Sequence, residues 1–240
     1  MRYLASHPFA VASPSGKSEV AFDRLCRAVL GEHAGGIALV SSFGAEAIVL
    51  LHMVSRIEPA LPVLLNETGM LFPETLEYQR EVSALIGLTN VQLVRPSEAD
   101  LAAGDPDGTL HRRDADACCR IRKMLPLKCA LQPFSAWITG RKRYQSNARA
   151  QLQFLEHDEE GRVKFSPLAD WLQQDIARYM EEHELPRHPL VERGFPSIGC
   201  APCTSPVRAD EDARAGRWRG SEKTECGIHF TDGKVVRGAA

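Results

Sequence analysis

The sequence predicts an α/β protein: a doubly wound, mostly parallel sheet followed by an irregular, cysteine-rich C-terminal segment. Three observations lead there. Short apolar runs alternate with longer helix-compatible stretches, the pattern of linked β-α-β units. Glycine and proline fall at the boundaries between them. The alternation stops at His188, after which glycine, proline, cysteine and charge take over.

Taken in order, Ile37 to Val40 follows Gly35-Gly36 as a buried first strand, Gly44 marks a tight turn, and Ala47 to Val54 reads as a helix. Pro62 to Leu65 is the second strand. A polar loop follows, then a helix with Pro73 in its first turn and Gly87 at its close. "VQLVRP" is a third strand, and Trp137 to Thr139 a fourth that runs into a basic loop. "FSPLADWLQQDIARYMEEHELP" holds a short strand and a helix, with Asp170 and Gln173 at capping-box-like spacing and Pro186 ending the run. No internal repeat or low-complexity segment interrupts the plan.

The 240 residues are 44% hydrophobic and 25% charged, the balance of an ordinary globular protein able to bury a sizeable core. A net charge of −2 gives no general attraction for nucleic acid or anionic membranes. No apolar run reaches the ~18 residues that span a bilayer. The N-terminal stretch, broken by Pro8 and Pro14, lacks the apolar region of a signal peptide. The expected setting is the cytoplasm. Seven cysteines there speak for metal ligands or catalytic thiols rather than disulfides.

In doubly wound sheets ligands bind beyond the carboxyl ends of the strands. Three loops start there: "SSFGAE", "NETGMLFPE" and "TGRKRYQSNAR". Ser41, Ser42, Phe43 and Gly44 offer backbone N–H groups and hydroxyls at a helix N-terminus, a cradle for phosphate or sulfate. The third loop carries Arg141, Lys142, Arg143 and Arg149.

Cys118 and Cys119 stand side by side, followed by Arg120, Arg122 and Lys123; Cys200 and Cys203 form a C-x-x-C in a Gly/Pro turn. Adjacent cysteines are poor disulfide partners. Four thiolates suit tetrahedral zinc or a cubane iron–sulfur cluster. The tandem pair suggests the larger object, whose corners neighbouring residues reach from one helix, and the cations offset its charge. Cys26 and Cys129, on apolar-flanked helical segments, read as buried small hydrophobes. Cys226 stands apart in "SEKTECGIHF". Gly227 gives it freedom, and Lys223 and His229 are placed to favour the thiolate, which is the nucleophile. Arg214, Arg217 and Arg219 just upstream add anion-binding charge.

These pieces, in this order, resemble the assimilatory adenylyl-sulfate reductases, which group with the phosphoadenylyl-sulfate reductases and, more remotely, the PP-loop ATP pyrophosphatases. The resemblance rests on Cys118-Cys119 with Lys123, Cys200-x-x-Cys203, "RAGRW", "ECGIH", "SSFGAEAIVLLH" as a degenerate PP-loop, "NETGMLFPET", "SPLADW" and "IGCAPCT"; it spans about Gly36 to His229. It implies the PP-loop, adenine nucleotide alpha-hydrolase-like fold. Residues 1–20 would be a loosely ordered leader, 21–210 a single nucleotide-binding domain, and 211–240 a mobile tail bearing the catalytic cysteine.

The implied reaction belongs to sulfate assimilation and cysteine biosynthesis: adenosine 5′-phosphosulfate and a reductant give sulfite and AMP. Cys226 would attack the sulfate sulfur, leaving an S-sulfonate that thioredoxin or glutaredoxin reduces. Cys118, Cys119, Cys200 and Cys203 would hold one [4Fe–4S] cluster per subunit, with a structural and electrostatic role. Ser41, Ser42, Phe43, Gly44, Lys123, Arg143, Arg214, Arg217 and His229 would bind the substrate, and backbone near Leu65 to Thr68 would contact adenine. The implied protein is a homo-oligomer without nucleic-acid or membrane partners. One departure is informative: true PP-loops are glycine-rich and carry an aspartate, whereas here Phe43 replaces a glycine and Glu46 is the nearest acid, which disfavours ATP.

Three alternatives stand beside this reading. A reductase of the 3′-phosphorylated nucleotide, or one of dual specificity, is close to it, although that branch generally lacks the four cysteines. A PP-loop tRNA sulfurtransferase needs an ATP loop and a basic RNA face. A four-cysteine zinc module would be colourless and gives Cys226 no job.

Overall fold

The structure is a computed structural model that describes residues 16–221 together with Lys223, Glu225 and Gly227. Six strands form one sheet: β1 (Ile37–Val40), β2 (Val63–Asn66), β3 (Val91–Val94), β4 (Ala136–Thr139), β5 (Leu155–His157) and β6 (Val163–Phe165), in the order β3-β2-β1-β4-β6-β5. Every neighbouring pair is parallel except β5–β6, an antiparallel hairpin at the edge. The chain runs outward from β1 through β2 to β3, then returns to place β4 on the other side of β1. That reversal creates a crevice at the carboxyl ends of β1 and β4, where such sheets take ligands.

β1 and β4 are buried along all four of their residues, because helices cover both faces of the sheet. Side chains alternate between the faces. Ile37, Leu39, Val63, Leu65 and Ile138 enter the larger core, with residues of α1 (Gly16–Arg27), α2 (Ala47–Ile57), α3 (Pro73–Leu85) and, late in the chain, the helix Gln173–Glu182. Ala38, Val40, Leu64 and Trp137 pack on the opposite face with Leu127 and Leu131. Each fully buried Leu or Ile contributes about 1.5–3 kcal/mol. The central strands are therefore the rigid part, and the loops leaving them inherit fixed starting points.

Between β3 and β4 lie α4 (Glu98–Gly104), α5 (Leu110–Arg113), α6 (Ala115–Cys119), a wide π-type turn Arg120–Met124, and α7 (Leu125–Ala130). The Asp114 carboxylate accepts from the N–H groups of Asp116 and Ala117 at 3.0 and 2.9 Å, starting α6 just ahead of the tandem cysteines.

Strands β1 to β4 and the helices after β1, β2 and β6 follow the sequence reading, and the short strand expected from Phe165 falls at the end of β6. β5, its hairpin pairing with β6, and α4 to α6 do not, since they are too short to show a period. α1 begins at Gly16 and sends Ala21 and Leu25 into the core, so order starts ahead of residue 20. At α8 (Gln173–Glu182) the cap is Asp175, whose Oδ2 accepts from Leu172 N–H at 2.8 Å, not the Asp170–Gln173 pair. Cys129 is exposed and Cys26 half-buried, which corrects the expectation of two buried thiols. The inward positions here are Leu127 on α7 and Leu131 just past its end, and Cys129 lies two residues from each, on the other side of the helix. Among the described residues no helix is long and apolar enough to cross a membrane.

Candidate active site

A cavity of about 440 Å³ opens at the carboxyl ends of β1, β2 and β4. Its first wall is the turn after β1. Ser41 Oγ accepts from Phe43 N–H at 3.2 Å, and Phe43 takes a left-handed backbone, φ +47°. That conformation is costly for a residue with a side chain, and burying the ring in the main core offsets it. Ser41, Ser42 and Gly44 face the cavity; the Phe43 ring does not, so its part is to anchor the turn.

The loop after β4 forms the second wall with Arg141, Lys142, Tyr144, Gln145 and Arg149. Each cation meets a carboxylate. Arg141 pairs with Glu156. Lys142 Nζ, 2% exposed as a residue, donates to Glu46 Oε2 at 2.8 Å, and Tyr144 and Gln145 also donate to Glu46. Burial alone would raise the Glu46 pKa, but Lys142, together with the hydrogen bonds from Tyr144 and Gln145, outweighs it and holds the carboxyl below its ordinary value. Arg149 grips Glu225 with two bonds, Nε–Oε2 2.5 Å and Nη2–Oε1 2.8 Å, and Arg214 Nη2 reaches Glu225 Oε1 at 3.5 Å. Of the expected site residues, Arg143 is not brought to the cavity lining: it is exposed and ties to the Leu152 carbonyl at 2.8 Å. Arg141, Lys142 and Arg149 of the same loop do line the cavity. The signal for them was their location directly after a parallel strand, which composition alone does not rank.

The third wall joins cavity and cysteines. Cys118 and Cys119 are buried on α6, Cys200 is buried, and Cys203 is half-buried in the C-x-x-C turn. The two segments face one another: the Cys118 thiol feels Cys200 and Cys203, and Cys200 Sγ lies 3.3 Å from Thr68 Oγ1. Burial pushes the Cys118 thiol up to about 11, against the pull of Arg122. Burial also raises Cys203, while Lys123, Arg217 and Lys223 pull it down. Lys223 lies beside Cys119 and donates to Asp116 Oδ1 at 2.5 Å; burial works against its charge, but Cys119 and Asp116 outweigh it and raise its pKa.

The three cations after the tandem cysteines part ways. Arg120 is exposed, Arg122 is buried against Asp105 with bonds of 2.9 and 2.7 Å, and Lys123 lines the cavity. Arg214 and Arg217 line it too. Arg217 lies on the chain at Gly199, where a Cβ would stand 2.2 Å from Nη2, and it donates to the Ile198 carbonyl at 3.1 Å. Glycine in "SIGC" is thus what admits the guanidinium. Trp218 N–H donates to Cys203 O at 3.0 Å, fastening the arginine turn to the cysteine turn. Cys226 and His229 lie outside the described residues. Of their neighbours, Glu225 is held by Arg149, and Gly227 sits so close to Met124 that a Cβ would come within 2.4 Å of its Sδ.

Among the described residues no three His, Cys, Asp or Glu side chains could hold a single metal ion. The donor set is four thiols from two segments turned toward each other, with cations behind them, and a metal centre would displace their protons.

A sequence model described as the phosphoadenosine phosphosulfate reductase domain matches residues 36–206. An adenosine 5′-phosphosulfate reductase of Mesorhizobium japonicum is 52% identical over 195 residues, covering 81% of this chain and 76% of that one. The adenosine 5′-phosphosulfate reductase of Chelativorans sp. is 48% identical over 206 residues, covering 86% and 84%. Among solved structures, the phosphate complex of phosphoadenylyl-sulfate reductase from Candida auris superposes with a TM-score of 0.59 at 25% identity, over 78% of this chain and 96% of that one.

Proposed function

The chain belongs to the phosphoadenosine phosphosulfate reductase family, and from that premise we propose that it is an adenylyl-sulfate reductase, converting adenosine 5′-phosphosulfate to sulfite and AMP. One observation carries the assignment beyond the family: Lys123 and Arg217 face the cavity on one side and the Cys203 thiol on the other. A single pair of cations thus serves both an anionic ligand and a cysteine centre.

In this proposal the nucleotide's phosphate and sulfate sit among Ser41, Ser42, Gly44, Lys123, Arg149, Arg214 and Arg217, whose charges neutralise the oxygens around the sulfur. The Cys226 thiolate forms a bond to that sulfur. The bond to the bridging oxygen breaks, and its electron pair departs on AMP, a leaving group that needs cations rather than a strong acid. The result is a Cys226 S-sulfonate. A thioredoxin or glutaredoxin thiolate attacks the Cys226 sulfur and releases sulfite; the second thiol of the partner closes its own disulfide and restores Cys226. The two electrons come from that dithiol. The described neighbours Glu225 and Gly227, beside Arg149 and Met124, support a position for this segment at the cavity mouth.

Cys118, Cys119, Cys200 and Cys203 fit a [4Fe–4S] cluster, one thiolate to each iron, better than one zinc, which needs four sulfurs about 2.3 Å from a single point. A bound cluster would supply fixed charge beside Lys123 and Arg217. The remaining parts of the proposal are a cytoplasmic setting, where thiols stay reduced, and a homo-oligomer. Incubation with adenosine 5′-phosphosulfate and no reductant tests it. One sulfonate per chain should appear on Cys226, located by peptide mass spectrometry, and thioredoxin should release it as sulfite. A Cys226→Ser protein that still makes sulfite ends this mechanism. The 3′-phosphorylated nucleotide, assayed in parallel, decides between strict and dual specificity.

A further inference from the structure

Arg214 and Arg217, two of the cavity's cations, sit on a loop that the core does little to hold. The loop leaves Thr204 and returns at Arg217, where the two residues form an isolated antiparallel bridge. No residue from Ser205 to Ala215 is buried. A segment without apolar burial has no hydrophobic gain to offset the entropy lost when it is ordered. Its shape has to come from polar contacts.

Arg219, just past the bridge, supplies them. Its guanidinium meets the Glu211 carboxylate in a bidentate pair, Nη1–Oε1 2.9 Å and Nη2–Oε2 3.0 Å. The same group donates to Ser205 Oγ at 3.1 Å and to the Pro206 carbonyl at 3.2 Å. Glu211 Oε2 also accepts from Arg208 N–H at 2.8 Å. One side chain thus ties the outgoing arm of the loop to its middle. Arg219 is exposed and is not part of the cavity lining. Exposed ion pairs usually contribute little, with bidentate pairs inside a network as the exception, and this pair has that geometry. Arg219, and after it the Arg208 N–H, hold the Glu211 carboxyl down to about 2, so the pair stays charged around neutral pH.

We infer that Arg219 and Glu211 form a clamp that positions Arg214 and Arg217 on the cavity wall. Neither clamp residue touches the nucleotide. Each acts through the two arginines, by removing the cost of ordering their loop when an anion binds. The inference rests on the anion-binding reading above and gives work to two residues that reading leaves aside. Lysine cannot replace Arg219, because an ammonium does not match two carboxylate oxygens as a planar fork does.

Calorimetric titration of AMP, the reaction product, into the anaerobically prepared protein tests it, because the two residues carry opposite charges. If they acted on the phosphate through charge alone, Arg219→Gln would weaken binding and Glu211→Gln would tighten it. The clamp requires both to weaken it, each by about three- to tenfold, the usual cost of immobilising a side chain or two. Iron content should not change. Arg219→Lys should do no better than Arg219→Gln. On an Arg217→Ala background the loss from Arg219→Gln should shrink, since one of the arginines it positions is gone. Should Arg219→Gln impair folding, Glu211→Gln carries the test alone. Unchanged or tighter AMP binding in Glu211→Gln overturns the clamp and leaves the reductase reading standing, and so does an undiminished loss on the Arg217→Ala background. An unaltered protein that does not bind AMP overturns both.

Discussion

Two groups of cations border the cavity, and they are answered differently. In the loop after β4, Arg141, Lys142 and Arg149 each meet a carboxylate: Glu156, Glu46 and Glu225. On the cysteine wall, Lys123 and Arg217 line the cavity and also pull on the Cys203 thiol, while Lys223 beside them pairs with Asp116. Like residue types therefore do unlike work. Carboxylate-matched cations hold a loop in shape, and a buried pair of this kind is worth most as a constraint, because either partner alone is costly. Lys123 and Arg217 lie where the cavity and the Cys203 thiol are both within reach of their charge. The difference teaches that in such a site the count of arginines and lysines says little until their counter-charges are known.

The largest effect should come from the cysteine wall. Cys203→Ser is expected to remove the cluster, seen as loss of iron and acid-labile sulfide from near four each per chain in the unaltered protein. Sulfite release should fall below detection. The ion pairs of the β4 loop do not depend on Cys203, so AMP should still bind. A Cys203→Ser protein with its full iron and activity would dissolve the distinction between the two groups.

Lys142→Met strikes the other group. It leaves the Glu46 carboxylate without its cation, and should destabilise the fold by about 3 kcal/mol, the low end for a broken buried pair because Glu46 keeps some solvent contact. Denaturant unfolding measures it, and Lys142→Met with Glu46→Gln should recover much of the loss. The pH dependence has a sign. In the unaltered protein the Glu46 pKa is lowered from 4.5, so the pair's stabilisation is full above that value and fades as pH falls through the lower folded value. Without Lys142 only the hydrogen bonds from Tyr144 and Gln145 oppose burial, and the Glu46 pKa should rise above its ordinary value. The variant should then gain stability on acidification from neutral pH, with the penalty returning as pH rises through the raised value.

Arg217→Ala should lower kcat/KM by roughly 10- to 150-fold, the equivalent of about 1.5–3 kcal/mol for a charge-assisted contact. Iron content should stay as it was. Arg143→Ala, on the same basic loop but tied to a carbonyl outside the cavity, should change the rate less than about twofold. Equal losses in the two variants would mean that facing the cavity confers nothing.

Much of this was legible in the sequence. Residues covered on both faces, such as Ile37 to Val40, announce a parallel strand by an unbroken apolar run, and Pro73 and Gly87 bracket a helix by their backbone chemistry. Both paired cysteine segments stood out because adjacency and C-x-x-C spacing are local. Pairings across long stretches of chain were not legible. Nothing near Lys142 announces Glu46, 96 residues away, nor does anything near Arg149 announce Glu225, 76 residues on. Phe43 shows the same limit: the turn needs its backbone at φ +47°, while its ring belongs to the core, and no local signal separates the two. Arg143 and Arg149 look alike in "RKRYQSNAR", and only the fold turns one to the Leu152 carbonyl and the other to the cavity.

The smallest effect, and the finest test of the comparison, concerns Glu225. Its carboxylate is the counter-charge for Arg149 and reaches Arg214, and both arginines line the cavity. A nucleotide phosphate entering there meets arginines already engaged by an anion of the same chain. Binding must then exchange one carboxylate for one phosphate. If Glu225 competes in this way, Glu225→Gln should tighten AMP binding by about three- to tenfold, because a neutral amide holds the guanidinium groups less strongly than a carboxylate does. Added salt should narrow the gap between variant and parent only slightly, since buried charges are little screened. Weaker AMP binding in Glu225→Gln would show the reverse: that the carboxylate aims Arg149 and Arg214 at the ligand. The β4-loop cations would then belong with Lys123 and Arg217 in work, and the matched carboxylate would mark an arginine made ready rather than one already spent on structure.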